Sequence, residues 1–193
     1  MTFLYRIAAI SEYCKEDFAK EIKNLPPTLA SYVEEAKEGE PRARRLAGMR
    51  ALSDCLSYLS LPAPPVAVGR YGKPYFTEGE YQFSISHAGG IAVAVLAPQR
   101  VGADLEPYDR ALSDASIERI GAKLSEDERA LLSRALPEHR RRTFLEIWVR
   151  KEALMKRGGR GLASFSEVDT VLDPPAFEDA FEYLGREYFL AVY

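Results

Sequence analysis

The chain has 193 residues and a net charge of −3, and 47% of its residues are hydrophobic. This composition excludes a disordered chain, and the slight acidity argues against a protein that coats nucleic acid through a global positive field. No stretch approaches the roughly 18 apolar residues that a membrane span needs. We therefore expect a cytoplasmic protein of one large or two small domains, with neither nucleic acid nor a membrane as partner. Its two cysteines are too few for a disulfide scaffold.

In the first half, residues 3–10 predict an opening strand, and the three-four spacing of apolar residues predicts a helix from Pro41 to Leu59. The run LPAPPVAVGRYGKP that follows is rich in turn residues. Polar and apolar residues alternate over Tyr81–Ser86, which predicts a half-buried strand. Residues 91–97, IAVAVLA, are apolar on both faces, as in a buried central strand.

In the second half, Val101–Glu106 alternates as a strand, and the short spacer at 98–100 predicts a hairpin with the strand before it. The residues Ser125 to Glu128 form a capping box that opens a helix to about Leu136. A second helix is predicted from Pro137 to Arg157, ending at two glycines. The tail at 187–193 predicts a last strand, so each half ends in a buried strand after a helix.

Asp104 and Glu106 are the first candidate site. Strand residues two apart share a face, so the two carboxylates can converge on a hard cation such as Mg²⁺. Gly102, on the same face, is expected to leave room for a ligand. The alternative is a solvated strand face, which is where carboxylates are usually found.

Glu152 and Lys156 are the second candidate site. They continue the helical line of Phe144 and Trp148, which are predicted to face the core. A carboxylate and an ammonium beside buried aromatic rings need partners, and a metal ion and a phosphate are natural ones. The alternative is an exposed ion pair four residues apart on the helix.

Weaker signals lie in two glycine-containing turns and a strand end. Ser86 and His87 precede Gly89 and Gly90, and a hydroxyl, an imidazole and backbone N–H groups can together hold phosphate oxygens. A nucleophilic Ser–His pair is disfavoured, because adjacent strand residues point to opposite faces. Lys73, in Gly-Lys-Pro, and the glycine-rich residues 158–162 either bind phosphate or only turn the chain.

In chain order, the segments GKP, FSISHAGG, VGADLE and WVRKEALMKRGGRGL resemble the signatures of the 4′-phosphopantetheinyl transferases of the surfactin-synthetase-activating type. The matches extend from Gly72 to Leu162. Two residues depart from the family pattern: Ala103 replaces a branched residue, and Ser84 stands where asparagine is usual.

The resemblance implies transfer of 4′-phosphopantetheine from coenzyme A to a serine of an acyl or peptidyl carrier protein, with release of adenosine 3′,5′-bisphosphate. It implies an α+β fold of two similar, pseudo-symmetric halves, 1–100 and 101–193. Each half would be a helix packed on a small antiparallel sheet, with the active site in the cleft between them. It also implies a monomer.

By the same resemblance, Asp104, Glu106 and Glu152 would hold Mg²⁺. Lys156 and Lys151 would neutralise the phosphates of coenzyme A. Asp104, Glu152 and Lys156 would be the catalytic residues. Either Glu152 or a metal-bound water would take the serine proton, and the sequence does not decide between them.

Residues of the first half would complete the binding of coenzyme A. Ser86 and His87 would contact its phosphates, Lys73 would lie near the nucleotide, and Arg44 or Arg45 would supply a further phosphate contact. Two other functions stay open. One is a Mg²⁺-dependent phosphoesterase or nucleotide-binding enzyme, and the other is a non-catalytic module that binds coenzyme A or a carrier protein.

Overall fold

The computed structural model describes residues 2–11, 15–159 and 165–193. Over these residues the chain forms six helices and eight strands. It divides into two compact units, Met1–Val101 and Gly102–Tyr193. The predicted α+β class is confirmed. Within the described ranges, no helix combines the length and the apolar character that crossing a membrane requires.

The first unit is a three-stranded antiparallel sheet covered by a long helix. Its elements are β1 (Leu4–Ala9), α1 (Lys15–Lys23), α2 (Pro27–Glu34), α3 (Glu40–Tyr58), β2 (Val66–Val68), β3 (Pro74–Phe76), β4 (Gln82–Ala88) and β5 (Ile91–Ala97). The sheet order is β1-β5-β4, and β2 and β3 form a separate antiparallel pair. Every residue of β5 is buried, because this central strand lies under α3.

The second unit contains another three-stranded antiparallel sheet and another long helix. Its elements are β6 (Ala103–Pro107), α4 (Asp114–Gly121), α5 (Glu126–Arg134), α6 (Arg140–Gly158), β7 (Phe177–Tyr183) and β8 (Arg186–Val192). The sheet order is β6-β8-β7. Val149 and Ala153 of α6 pack on Phe189 and Ala191 of β8, which holds the helix against the sheet.

The three-stranded sheets of the two units have the same strand order. In each unit, two short helices and then a 19-residue helix, α3 or α6, follow the first strand. The last two strands of each unit are an antiparallel pair, and the last one, β5 or β8, lies at the centre of its sheet. The first unit also contains the β2–β3 pair.

Local signals in the sequence predicted several boundaries. Strand 91–97 is confirmed as β5. The capping box is confirmed too, since Ser125 and Glu128 exchange their side-chain and backbone hydrogen bonds at the start of α5. Gly159, in the left-handed conformation with φ of 66°, ends α6 as expected.

The hairpin predicted at residues 98–100 is wrong. Both edges of β5 are already paired, one with β1 and the other with β4, so no edge remains for the next strand. β6 instead pairs with β8 at the far end of the sequence.

Candidate active site

The strand β6 and the helix α6 approach each other closely at Gly102. A Cβ atom on Gly102 would lie 2.0 Å from the carbonyl oxygen of Ala153 and 2.3 Å from the backbone nitrogen of Arg157. Only glycine leaves space for the helix backbone there. The expectation that Gly102 leaves room for a ligand is therefore wrong, because α6 itself fills that space.

This close approach brings the two candidate sites of the second unit together. The ammonium of Lys156, on α6, donates a hydrogen bond of 2.6 Å to Asp104 Oδ1, on β6. The Asp104 side chain is buried at 5% exposure, whereas that of Lys156 is 29% exposed. The ion pair thus has a sheltered anion and a cation that solvent can reach.

Glu106 lies two residues along β6, and its side chain forms an ion pair with Arg110. The pKa of Glu106 is raised to about 7, mainly by burial and further by the negative charges of Asp104 and Glu152. The positive charge of Arg110 opposes this shift. The pKa of Glu152 is also raised, first by burial and then by the charge of Asp104, while Lys156 lowers it. The charge of Asp104 therefore disfavours ionisation of both Glu106 and Glu152.

The donor set fits Mg²⁺ by its chemistry. Carboxylate oxygens are the ligands that this ion prefers, and a divalent cation would relieve the mutual repulsion of Asp104, Glu106 and Glu152. As the side chains stand, no group of three or more His, Cys, Asp or Glu residues in the described ranges is arranged to hold a metal ion. Lys156 and Arg110 lie against Asp104 and Glu106 in the present arrangement.

The structure corrects the role predicted for Lys151. Its side chain is completely buried, and its ammonium lies 2.7 Å from Glu128 Oε2, which is also completely buried. It donates a second hydrogen bond of 2.5 Å to the carbonyl oxygen of Val168. An ammonium enclosed in this way has no access to a phosphate of a bound ligand, so Lys151 is not a phosphate contact.

In the first unit, Ser86 and His87 lie inside β4 rather than after it. Ser86 is buried and His87 is exposed, so the two side chains point to opposite faces of the sheet. Lys73 is partly buried, and its ammonium donates a hydrogen bond of 2.8 Å to the carbonyl oxygen of Val101.

The two arginines near the start of α3 have different surroundings. Arg44 is exposed and forms an ion pair with Glu40, one helical turn earlier. Arg45 donates a hydrogen bond of 2.7 Å to the carbonyl oxygen of Tyr32, and its guanidinium lies 4.2 Å from the centre of the Tyr32 ring. Arg44 is therefore the more accessible of the two for a ligand phosphate.

Sequence reasoning missed the ion pair that Arg110 forms with Glu106. It also missed the buried ion pair that Glu128 forms with Lys151. Arg110 stands four residues after Glu106, a spacing that signals an ion pair only in a helix, and this segment is a strand end and a turn. Glu128 was predicted only as part of a capping box. Within the glycine-rich stretch 158–162, residues 160–162 lie outside the described residues.

Comparisons with known proteins agree on one family. The model of the 4′-phosphopantetheinyl transferase superfamily matches residues 100–192. The chain is 35% identical over 153 residues to the 4′-phosphopantetheinyl transferase AcpT of Salmonella typhi, covering 77% of this chain and 73% of that protein. AcpT of Escherichia coli is 33% identical over 148 residues, covering 76% of this chain and 71% of the relative. HetI of Nostoc sp., also a 4′-phosphopantetheinyl transferase, is 34% identical over 109 residues, 53% of this chain and 45% of HetI.

Proposed function

The chain belongs to the 4′-phosphopantetheinyl transferase superfamily, and from this premise we propose that β6 and α6 carry its reaction centre. The protein is a transferase that moves phosphopantetheine to a carrier protein. Its proposed donor is coenzyme A, its acceptor the serine of an acyl or peptidyl carrier protein, and its metal Mg²⁺.

One observation supports this placement most directly: Lys156 of α6 and Asp104 of β6 are in contact. The same site holds Glu106 and Glu152, whose pKa values are raised by burial and by neighbouring carboxylates. A cluster of one buried and two half-buried carboxylates next to an accessible ammonium can accept both a cation and a pyrophosphate. A solvated strand face would have neither the burial nor the mutual charge effect.

In the proposed reaction, the serine oxygen of the carrier protein forms a bond to the phosphorus that carries pantetheine. The bond from that phosphorus to the bridging oxygen breaks, and adenosine 3′,5′-bisphosphate leaves. Asp104, Glu106 and Glu152 would hold Mg²⁺, which when bound neutralises charge on the pyrophosphate. Lys156 would move from Asp104 to a phosphate oxygen, where its charge stabilises the leaving group.

The proton of the attacking serine needs an acceptor, and Glu152 is the one we propose. Burial is the largest cause of its raised pKa, and a carboxylate whose pKa is raised by burial is a stronger base than an ordinary surface carboxylate. Its position on α6, one turn from Lys156, places base and cation on one helix face.

Residues of the first unit are proposed to bind coenzyme A. Lys73, Ser86 and His87 would contact the nucleotide and its phosphates, together with Arg44 rather than the more enclosed Arg45. The shared strand order of the two units' sheets supports two similar halves. Their pseudo-symmetry and a site shared between them stay predictions, as do a monomeric state and a cytoplasmic location.

The test is mass spectrometry of an apo carrier protein after incubation with the enzyme, coenzyme A and Mg²⁺. We expect the carrier to gain the mass of one phosphopantetheine, and a carrier whose serine is replaced by alanine to gain nothing. Consumption of coenzyme A without any carrier would indicate a phosphoesterase instead. Binding of both substrates with no product would indicate a binding module.

A further inference from the structure

A buried ion pair lies beside the proposed reaction centre and has no part in the chemistry derived above. Lys151 of α6 and Glu128 of α5 are both completely buried and 2.7 Å apart. Burying two charges is costly unless further hydrogen bonds satisfy them, so such a pair persists only where the surrounding structure completes it.

In this protein, neighbouring groups supply the further hydrogen bonds that the two charges need. Glu128 Oε1 accepts hydrogen bonds from the backbone nitrogen and the hydroxyl of Thr170, at 3.0 and 2.9 Å. Its other oxygen accepts one of 3.0 Å from the backbone nitrogen of Ser125. The Lys151 ammonium also bonds the carbonyl of Val168 and lies 4.9 Å from the centre of the Phe165 ring.

These contacts join three parts of the second unit: the start of α5, the middle of α6, and the segment 165–170. The segment is held to α6 a second time, since the Phe165 ring lies 5.5 Å from that of Trp148. The orientation of α6 is therefore fixed on one side by the ion pair and on another by the close contact at Gly102.

We propose that Lys151 and Glu128 are positioning residues, whose buried ion pair holds α6 so that Glu152 and Lys156 face Asp104. Lys151 immediately precedes Glu152 on a rigid helix. If one partner is removed, a rotation of α6 can bring the remaining charged side chain, Glu128 or Lys151, closer to water. Such a rotation would also move Glu152 and Lys156. This inference rests on the proposed function, because it takes these two side chains as the ones that act on substrate.

Two other roles for Lys151 make different predictions. A phosphate-binding lysine would be needed for its charge whatever its partner, and its loss would raise KM for coenzyme A. A pair that only stabilises the fold would affect the melting temperature and leave the rate of the folded enzyme unchanged. A positioning pair should be replaceable by an uncharged pair of similar shape.

The experiment compares Lys151→Met, Glu128→Gln and the double variant in the full chain. Removing Lys151 leaves the Glu128 charge buried without its partner, so we expect Lys151→Met to lower Tm by about 10 °C. Well below Tm, we expect its kcat to fall at least about tenfold with KM for coenzyme A nearly unchanged. The double variant should have a Tm within a few degrees of the wild-type value and a kcat within about threefold of it. Arg150→Met, which removes an ion pair between the same helix and Glu178 of β7, is the matched control and should leave kcat unchanged.

Thr170→Val keeps both charges and removes one hydrogen bond to Glu128, so it tests the proposal even if the single charge variants do not fold. We expect a partial loss of kcat and weaker binding of Mn²⁺, measured calorimetrically without coenzyme A. A double variant that folds but keeps a low kcat and a raised KM for coenzyme A would overturn the proposal in favour of a phosphate contact. Folded single variants, or Thr170→Val, with wild-type kcat and Mn²⁺ affinity would overturn it in favour of a purely structural pair. If the wild-type enzyme transfers no phosphopantetheine, the proposed function itself fails, and the Mn²⁺ affinities still report whether the pair positions the carboxylates.

Discussion

Asp104 and Lys156 are 52 residues apart in the chain, and their side chains are joined by a hydrogen bond of 2.6 Å. Taken separately, each belongs to a motif with an ordinary explanation, a polar strand face or an exposed ion pair on a helix. Their contact removes both explanations, because the acid is buried and its partner comes from another element. The contact depends on Gly102, which lets the backbone of α6 lie against the start of the second unit's sheet.

Gly102→Ala should therefore destabilise the protein strongly. The new Cβ would meet backbone atoms of α6 at 2.0 and 2.3 Å, and neither atom belongs to a flexible side chain. We expect a loss of about 3 kcal/mol or more in the free energy of unfolding, measured with urea. Gly158→Ala is the matched control on α6, since its Cβ would meet nothing within 4 Å. Equal stability of the two variants would show that the helix can move away from β6 at little cost.

Asp104→Asn should lower kcat for carrier modification at least about a hundredfold, because the amide keeps the shape and loses the charge that would hold the metal. Lys156 is partly exposed, so water can solvate it, and we expect Tm to change by only a few degrees. Asp109→Asn is the control, since it removes a surface ion pair with Arg186 near the same strand. Turnover of Asp104→Asn close to that of the control, at ordinary Mg²⁺ concentrations, would remove Asp104 from the site.

The parts of the fold that depend on local signals were predictable. The run IAVAVLA predicts a buried strand whatever its neighbours are, because it is apolar on both faces. A Ser-x-x-Glu capping box supplies hydrogen bonds to the backbone at the start of its own helix. The strands β2, β3 and β7 gave weaker signals. β2 and β3 have three residues each, in or at the end of a proline-rich run, and β7 has three acidic residues among its aromatic ones and no buried position.

The parts that depend on tertiary packing were not predictable. The partner of β6 is 80 or more residues away, at the end of the chain, and nothing in residues 98–107 indicates it. The burial of Lys151 has the same origin. In sequence it is one more cation in a charged helix, and only the fold places Glu128 and Val168 around it. Gly102 was recognised as a special position, but whether a helix or a ligand fills the space beside it is decided by packing.

The raised pKa of Glu106 predicts how stability depends on pH without metal. Its folded-state pKa is raised to about 7, mainly by burial, above the ordinary value of 4.5 that applies when the chain is unfolded. Between these values the folded state holds a proton that the unfolded state has released, so stability falls as pH rises through this window. The slope from this one group is at most about 1.4 kcal/mol per pH unit.

Urea unfolding at pH 5, 6 and 7 in the presence of a chelator measures this effect. Glu106→Gln is the control, because it removes the titrating group, and its stability should depend on pH less steeply than that of the wild type. Saturating Mg²⁺ should also flatten the wild-type dependence, since a bound cation stabilises the charged carboxylates. Parallel pH profiles for wild type and variant would show that Glu106 titrates normally.

Lys156→Ala distinguishes a catalytic cation from an ordinary ion pair. In the proposed role, the ammonium leaves Asp104 and stabilises charge that develops on the 5′-phosphate of the leaving adenosine 3′,5′-bisphosphate, so its removal should lower kcat by about a hundredfold or more. The variant should also lose stability, because Asp104 is buried and then lacks the hydrogen bond from this lysine. Measuring kcat for carrier modification together with Tm tests both points. An active variant with a slightly lowered Tm would show that Lys156 serves only to neutralise Asp104.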